Sequence, residues 1–305
     1  MESVFQTTQK GRMIMKKLIV LVLTLMLVLT CAAMAEAQDI TVESRGVQVP
    51  VTVYVPELKE GEKAPVVVFA HGHGGSRSET GFAVIIEQLQ QYGIACVTVD
   101  FPGCGNSTES FQKNTLTNMK ADVVAALNHV IANYPIDAEK TGIFGYSMGG
   151  RIALELTAEE AWQFDGMALL APAASTADLK GFFGGAEVFD PLEKKAKDEG
   201  YAVFTTMFGQ VQELSREWFE DMAKMPENSA ELAAAKFAGD AIVFYGEDDP
   251  SVNPAVSKGV AKALKAQECV VTGDQHSYGF YSDKVDIINA IACRSAEFFV
   301  TVFSK

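Results

Sequence analysis

The stretch Ile143-Phe144-Gly145-Tyr146-Ser147-Met148-Gly149-Gly150 constrains the fold more than any other part of the chain. An apolar run ends in Gly-x-Ser-x-Gly, and a helix-forming run from Arg151 to Glu155 follows without a linker. That is the strand, sharp turn and helix of a nucleophile elbow. The glycines follow from the chemistry. A serine lifted clear of a sheet occupies a strained backbone conformation, and its neighbours must be small enough to pass the helix behind it. The helix then offers its positive end and a free N–H to a developing oxyanion. The pentapeptide alone also fits an inert glycine-rich turn, so the remainder of the chain has to decide.

The remainder alternates. Ile40 to Glu43 and Val47 to Val55 flank Arg45-Gly46 and predict an antiparallel hairpin. Continuous apolar strands are predicted at Pro65–Ala70, Ala95–Asp100, Thr141–Tyr146, Met167–Leu170 and Ala241–Tyr245, with a short one at Cys269–Val271. Helical runs separate them, at Phe82–Tyr92, Leu116–Asn133, 148–159, Pro254–Ala266 and Val285–Phe299. Strands apolar on both faces and alternating with helices mean a parallel sheet covered on both sides. One segment breaks the rhythm. Residues 174–238 separate two core strands by far more than an ordinary crossover. They carry Phe182, Phe183, Phe189, Tyr201, Phe204, Phe208, Trp218 and Phe219. This segment reads as a cap over the C-terminal edge of the sheet, with strands open to Tyr201–Phe208; a decoration on the side of the domain is the alternative. The core is then 38–173 and 239–305.

Residues 1–37 read as a leader. Lys10, Arg12, Lys16 and Lys17 precede an apolar run from Leu18 to Leu29, and small residues follow in Ala33-Met34-Ala35 and Ala35-Glu36-Ala37. That is the order of a secretory signal peptide, and the run is short for a membrane span of about 20 residues. The expected location is outside the cell or in its envelope, with no membrane span after processing. The formal charge is −14 over the chain. The leader holds four cations and two anions, so the remainder carries −16. Such a surface argues against nucleic acid or an anionic membrane as partner. Cys96, Cys104, Cys269 and Cys293 remain. Two disulfides are permitted in an exported protein, but Cys96 and Cys269 lie in strand-like runs and read as small core hydrophobes. No Cys/His spacing points to a metal.

Three further features fall where acyl-transfer chemistry needs them. His71-Gly72-His73-Gly74-Gly75 follows the Pro65–Ala70 strand. Its glycines let backbone N–H groups approach a substrate oxygen. The N–H groups of His73 and Met148 would make a two-donor oxyanion hole, with the His71 side chain bracing the loop. Gly246-Glu247-Asp248-Asp249 ends the Ala241 strand and supplies an acid to orient a catalytic imidazole. Asp249 fits the spacing best and Asp248 is second. His276 lies in a loop after the Cys269 strand and before the last helix. Of the four histidines, it alone comes after both Ser147 and the acidic turn.

These residues, with Asp100-Phe101-Pro102-Gly103-Cys104-Gly105-Asn106-Ser107, give the chain a resemblance to the α/β-hydrolases over roughly residues 40–303. The resemblance implies an eight-stranded, mostly parallel sheet with helices on both faces, an inserted cap, and Ser147, Asp249 and His276 as triad. The HGxGG loop, the GYSMGG elbow and the cap after Leu170-Ala171-Pro172-Ala173 are similar to bacterial cinnamoyl (feruloyl) esterases. Some dienelactone-hydrolase-like and serine-peptidase-like proteins share much of that pattern. In the esterases an aromatic often follows His-Gly; here His73 stands in that place. The implied activity is cofactor-free hydrolysis of a carboxylic ester through an acyl-enzyme. The substrate would be a short-chain or hydroxycinnamoyl ester, free or on a polysaccharide fragment. A peptidase or acyltransferase on the same triad, or a non-catalytic binding protein of this fold, are the alternatives.

Overall fold

A computed structural model describes residues 37–206 and 209–305. The leader expected over 1–37 lies outside the described residues but for its last, and so does Phe208 of the cap. Among the described residues ten strands form two sheets. The main one has eight strands in the order β1 (Gln38–Ser44), β2 (Val47–Tyr54), β4 (Ala95–Val99), β3 (Ala64–Ala70), β5 (Ile136–Tyr146), β6 (Gly166–Leu170), β9 (Asp240–Gly246) and β10 (Gln267–Val271). From β4 to β10 every pairing is parallel. The β1–β2 hairpin is antiparallel and joins through an antiparallel β2–β4 pairing. Val66 to Ala70 are buried on both faces because helices cover both.

Alternate residues of the same strands feed different cores. Val67 and Phe69 pack with Phe82, Ile85 and Leu89 of α1 (Thr80–Gln90) and with Phe298 and Phe299 of α9 (Val285–Phe303). Val66, Val68 and Ala70 face the other layer. That layer is α2 (Leu116–Asn133), α3 (Met148–Ala158) and α8 (Pro254–Leu264). Period-2 side-chain direction explains the division, since one strand must satisfy two apolar surfaces. α2 begins at Leu116 because the Thr115 hydroxyl accepts the Asn118 N–H, an N-cap bond.

The insertion leaves after β6. It consists of α4 (Thr176–Phe182), α5 (Ala186–Glu199), an antiparallel hairpin of β7 (Tyr201–Thr205) and β8 (Val211–Ser215), α6 (Arg216–Met222) and α7 (Ser229–Ala234). α7 packs on α3 and α8, in the helical layer of the core. Phe183, Phe189, Trp218 and Phe219 are buried in the same apolar cluster as that layer. Arg151 of α3, fully buried, ties the start of the insertion to the turn before α7. One guanidinium nitrogen donates to the Ala173 carbonyl at 3.4 Å, another to the Pro226 carbonyl at 2.9 Å, and its charge is met by Glu155 at 2.9 Å.

Cys96, Cys104, Cys269 and Cys293 are free thiols. Cys96 is fully buried in β4, as expected of a small hydrophobe, whereas Cys269 is only half-buried. The reason is position: β10 is the edge of the sheet, covered less than the interior strands. Among the described residues no helix is long and apolar enough to cross a membrane, and no cluster of His, Cys, Asp and Glu has metal-ligating geometry.

Candidate active site

The parallel order β3, β5, β6, β9, β10 delivers five strand ends to one edge, and the loops leaving β3, β5, β9 and β10 carry the residues singled out in the sequence. Ligands of open α/β sheets bind at that edge. Ser147 follows β5 directly, at φ 53° and ψ −113°. A non-glycine residue held there costs of order 1–3 kcal/mol, and the surroundings enforce it. The Ser147 N–H donates to the Leu170 carbonyl at 2.9 Å; its own carbonyl accepts from Gly150 and Ala173 N–H, both at 3.0 Å. The close passage of α3 explains the glycines. A Cβ on Gly149 would lie 1.9 Å from the Ala70 carbonyl oxygen, and one on Gly145 would lie 2.6 Å from the Gly149 oxygen. As the first residue of α3, Met148 has an N–H with no acceptor inside the helix.

His276 and Asp249 converge on Ser147. His276 Nε2 is 3.1 Å from Ser147 Oγ, and Nδ1 is 2.7 Å from Asp249 Oδ2. A neutral imidazole carrying its hydrogen on Nδ1 donates to the carboxylate and leaves Nε2 to accept the serine proton. The register in the acidic turn is therefore Asp249, which is buried, whereas Glu247 and Asp248 are exposed. Asp249 Oδ1 accepts the Ser251 and Val252 N–H at 2.8 and 2.9 Å, and Oδ2 also accepts the Tyr278 hydroxyl at 2.5 Å. Burial opposes ionisation of Asp249, but His276 and these donors outweigh it and hold the carboxyl below its ordinary value.

The loop carrying His276 is fixed from below. Asp274 accepts the Gln275 and Gly279 N–H, each at 2.8 Å, and the Ser277 hydroxyl at 2.9 Å. The Tyr146 hydroxyl donates to the His276 carbonyl at 2.5 Å, and its ring lies 5.3 Å from the imidazole. Sequence reasoning assigned no role to Tyr146, Asp274 or Tyr278. Asp274 and Tyr278 flank His276 in the sequence, yet nothing there reveals which side chains turn inward.

The loop after β3 lies beside the serine: a Cβ on Gly72 would be 3.4 Å from Ser147 Cβ. His71 does brace it. Its Nε2 accepts the Phe101 N–H at 3.3 Å, so Nδ1 donates to the Gly72 carbonyl at 2.7 Å. Burial pushes its pKa down to about 4, which keeps the ring neutral for that role. Asp100 closes the neighbouring loop, accepting the Arg77 and Asn106 N–H at 2.7 and 2.8 Å and pairing with the Arg77 guanidinium. His73 points its ring at Phe182, Phe183 and Trp218 of the insertion and at Phe111 of the core, with centroids 5.4 to 6.1 Å away. Trp218 and Phe183 are buried within the cap, while Phe182 is 37% exposed.

The hydrolase family described as serine aminopeptidase, S33, matches residues 61–198, a span holding Ser147 but neither Asp249 nor His276. An AB hydrolase superfamily protein, YisY of Bacillus subtilis, is 25% identical over 271 residues, covering 79% of this chain and 94% of its own. The dihydrolipoyllysine-residue acetyltransferase component of an acetoin cleaving system from Pseudomonas putida is 25% identical over 164 residues. That match covers 54% of this chain, which spans only 41% of that protein. Among solved structures, Est1E of Butyrivibrio proteoclasticus with ferulic acid bound superposes with a TM-score of 0.71 at 19% identity, over 87% of this chain and all of that one. Strand order, elbow and these likenesses agree: the chain has the α/β-hydrolase fold, which it shares with a feruloyl esterase.

Proposed function

We propose that the chain is an exported serine esterase that hydrolyses carboxylic esters through an acyl-enzyme, with Ser147, His276 and Asp249 as its triad. The observation that carries this reading is the unbroken bond sequence from Ser147 Oγ to His276 to Asp249, at 3.1 and 2.7 Å. His276 takes the serine proton as Oγ attacks the ester carbonyl. The oxyanion is met by the N–H groups of Met148 and His73. His276 then protonates the leaving alcohol, and later activates the water that releases the acid. Asp249 holds the imidazole in one tautomer and stabilises its cation. No cofactor is called on. Short-chain or hydroxycinnamoyl esters, free or on a polysaccharide fragment, are the proposed substrates. The aromatic lining near His73 and the fold shared with a ferulate-bound esterase support them.

A panel of p-nitrophenyl esters from acetate to octanoate with methyl ferulate tests the reading. Turnover that vanishes in Ser147→Ala with folding intact is the expected result. Near wild-type turnover in that variant would remove Ser147 from the mechanism. A peptidase is the second reading, favoured by the family matched over 61–198. Aminoacyl-p-nitroanilides cleaved faster than any ester would establish it instead.

A further inference from the structure

The loop proposed to supply the first oxyanion donor is held from two sides. On the core side, His71 grips the Gly72 carbonyl and Glu79 accepts the Ser76 N–H at 3.1 Å. On the other side the grip comes from the cap hairpin. Gln212 Oε1 lies 2.8 Å from His73 Nε2; Gln212 Nε2 donates to Gln210 Oε1 at 2.9 Å; Gln210 Nε2 donates to the Gly74 carbonyl at 3.2 Å. An amide donates only from nitrogen and accepts only at oxygen. The relay therefore runs one way, and it requires the hydrogen of His73 to sit on Nε2. Burial keeps that ring neutral, with its pKa pushed down to about 4.

Two features separate this arrangement from a glutamine that happens to pack well. Gln212 is fully buried in β8, where an apolar residue would avoid the cost of desolvating an amide. The relay also ends on backbone, one residue from the His73 N–H, and it fills the room above Gly74. A Cβ on Gly74 would come 2.4 Å from Gln210 Oε1 and 2.7 Å from Gln212 Nε2. The hairpin tip presenting the amides is itself closed, with the Thr206 N–H bonded to the Gln210 carbonyl and the Gln210 N–H to the Thr206 hydroxyl, at 2.9 and 3.2 Å.

We infer that Gln210 and Gln212 are positioning residues for the oxyanion loop, through which the cap sets the placement of the His73 N–H. The inference rests on the serine-hydrolase reading above. It makes His73 more than a substitute for an aromatic residue: the imidazole fills the aromatic niche and also donates to the relay, as a phenyl ring cannot. It also makes the cap part of the hole rather than only a wall of the pocket.

The test is the rate constant for capture of Ser147 by a fluorophosphonate, read beside kcat and KM on p-nitrophenyl acetate. Capture needs serine, histidine and hole, but no knowledge of the natural substrate. A lost oxyanion donor costs about 10²–10³-fold, and a displaced one less. Gln212→Leu is expected to slow capture and kcat by about 10–100-fold, with KM within about threefold. Gln212→Glu, which still accepts from His73, should lose less. His73→Phe with Gln212→Leu should regain thermal stability without regaining the capture rate, whereas a purely structural role would restore both. Asp221→Ala removes two bonds between cap and Thr117 far from the loop, and is expected to leave capture unchanged. Capture within twofold of wild type in folded Gln212→Leu overturns the inference, as does an equal loss in Asp221→Ala. Should Gln212→Leu fail to fold, Gln210→Leu at the half-exposed tip carries the same expectations. Wild-type protein that is captured but inert on every ester refutes the esterase reading and leaves this test in force. No capture at all ends both.

Discussion

Replacing Tyr278 by phenylalanine removes one oxygen and little else. The side chain is fully buried, and the hydroxyl has two partners. It donates to Asp249 Oδ2 at 2.5 Å and accepts the Gly246 N–H at 2.8 Å. The first is a bond to a charged acceptor, contributing about 1.5–3 kcal/mol; the second, once lost, leaves a buried donor unpaired at about 1–3 kcal/mol. The terms share an atom and do not add fully, so a loss near 3 kcal/mol is expected in urea unfolding at pH 7. The sign with pH follows from Asp249. Its pKa is lowered by folding, so the stability it supplies is complete above the ordinary carboxylate value near 4 and lost as pH falls through the lower folded value. The gap between wild type and Tyr278→Phe should therefore be level from pH 5 to 7 and narrow below about pH 4, where the bond to Tyr278 loses its charge. Activity should fall only modestly, because His276 and two backbone N–H groups still hold the carboxylate. A loss below about 1 kcal/mol, or a gap that does not narrow in acid, would refute the reasoning.

Three more outcomes follow from the site. Asp249→Asn should cost on the order of 10⁴-fold in kcat, because the imidazole then loses both its orientation and its tautomer, while Asp248→Asn and Glu247→Gln should stay near wild type; parallel assays of the three check it. Glu79 is buried with one carboxyl oxygen unpaired, and burial raises its pKa to about 7. The folded state thus keeps a proton the unfolded state sheds from about pH 4.3, so wild-type stability should decline from there to pH 7, by up to about 3 kcal/mol. Glu79→Gln should flatten that decline, and denaturation curves that fall in parallel would contradict it. Phe182→Ala should change the methyl ferulate to ethyl acetate ratio of kcat/KM by about 1–3 kcal/mol without much loss of Tm, whereas the enclosed Trp218→Ala should lower Tm and leave the ratio alone.

The sheet was legible because its parallel strands are buried on both faces and leave continuous apolar runs, bounded by glycine and acidic turns. Ser147 was legible because the close passage of α3 admits only glycine at 145 and 149, so geometry writes itself into the sequence. Asp249 was not separable from Asp248 there: both are carboxylates one residue apart, and which one turns inward depends on the Ser251 and Val252 N–H groups that meet it. Tyr278 and the glutamines of β8 and its approach left no trace, because a polar side chain carries no mark of its partner when that partner is 29 or more residues away. The cap aromatics were visible as a group, but the split between enclosed Trp218 and exposed Phe182 depends on how α4 and α6 meet.

The grip of Arg151 on Ala173 and Pro226 has an architectural consequence. The chain leaves the core and returns to it within reach of a single guanidinium, so everything between those carbonyls is topologically a loop with its ends nearly touching. Such a segment can be exchanged as a cassette. Because a residue spans at most about 3.6 Å of extended chain, a bridge of three or four residues would rejoin the ends. The outcome would be a stripped-down core with Arg151 still clasping both sides of the seam, onto which segments of other shapes that again brace the His73 loop could be grafted to change what the same serine meets.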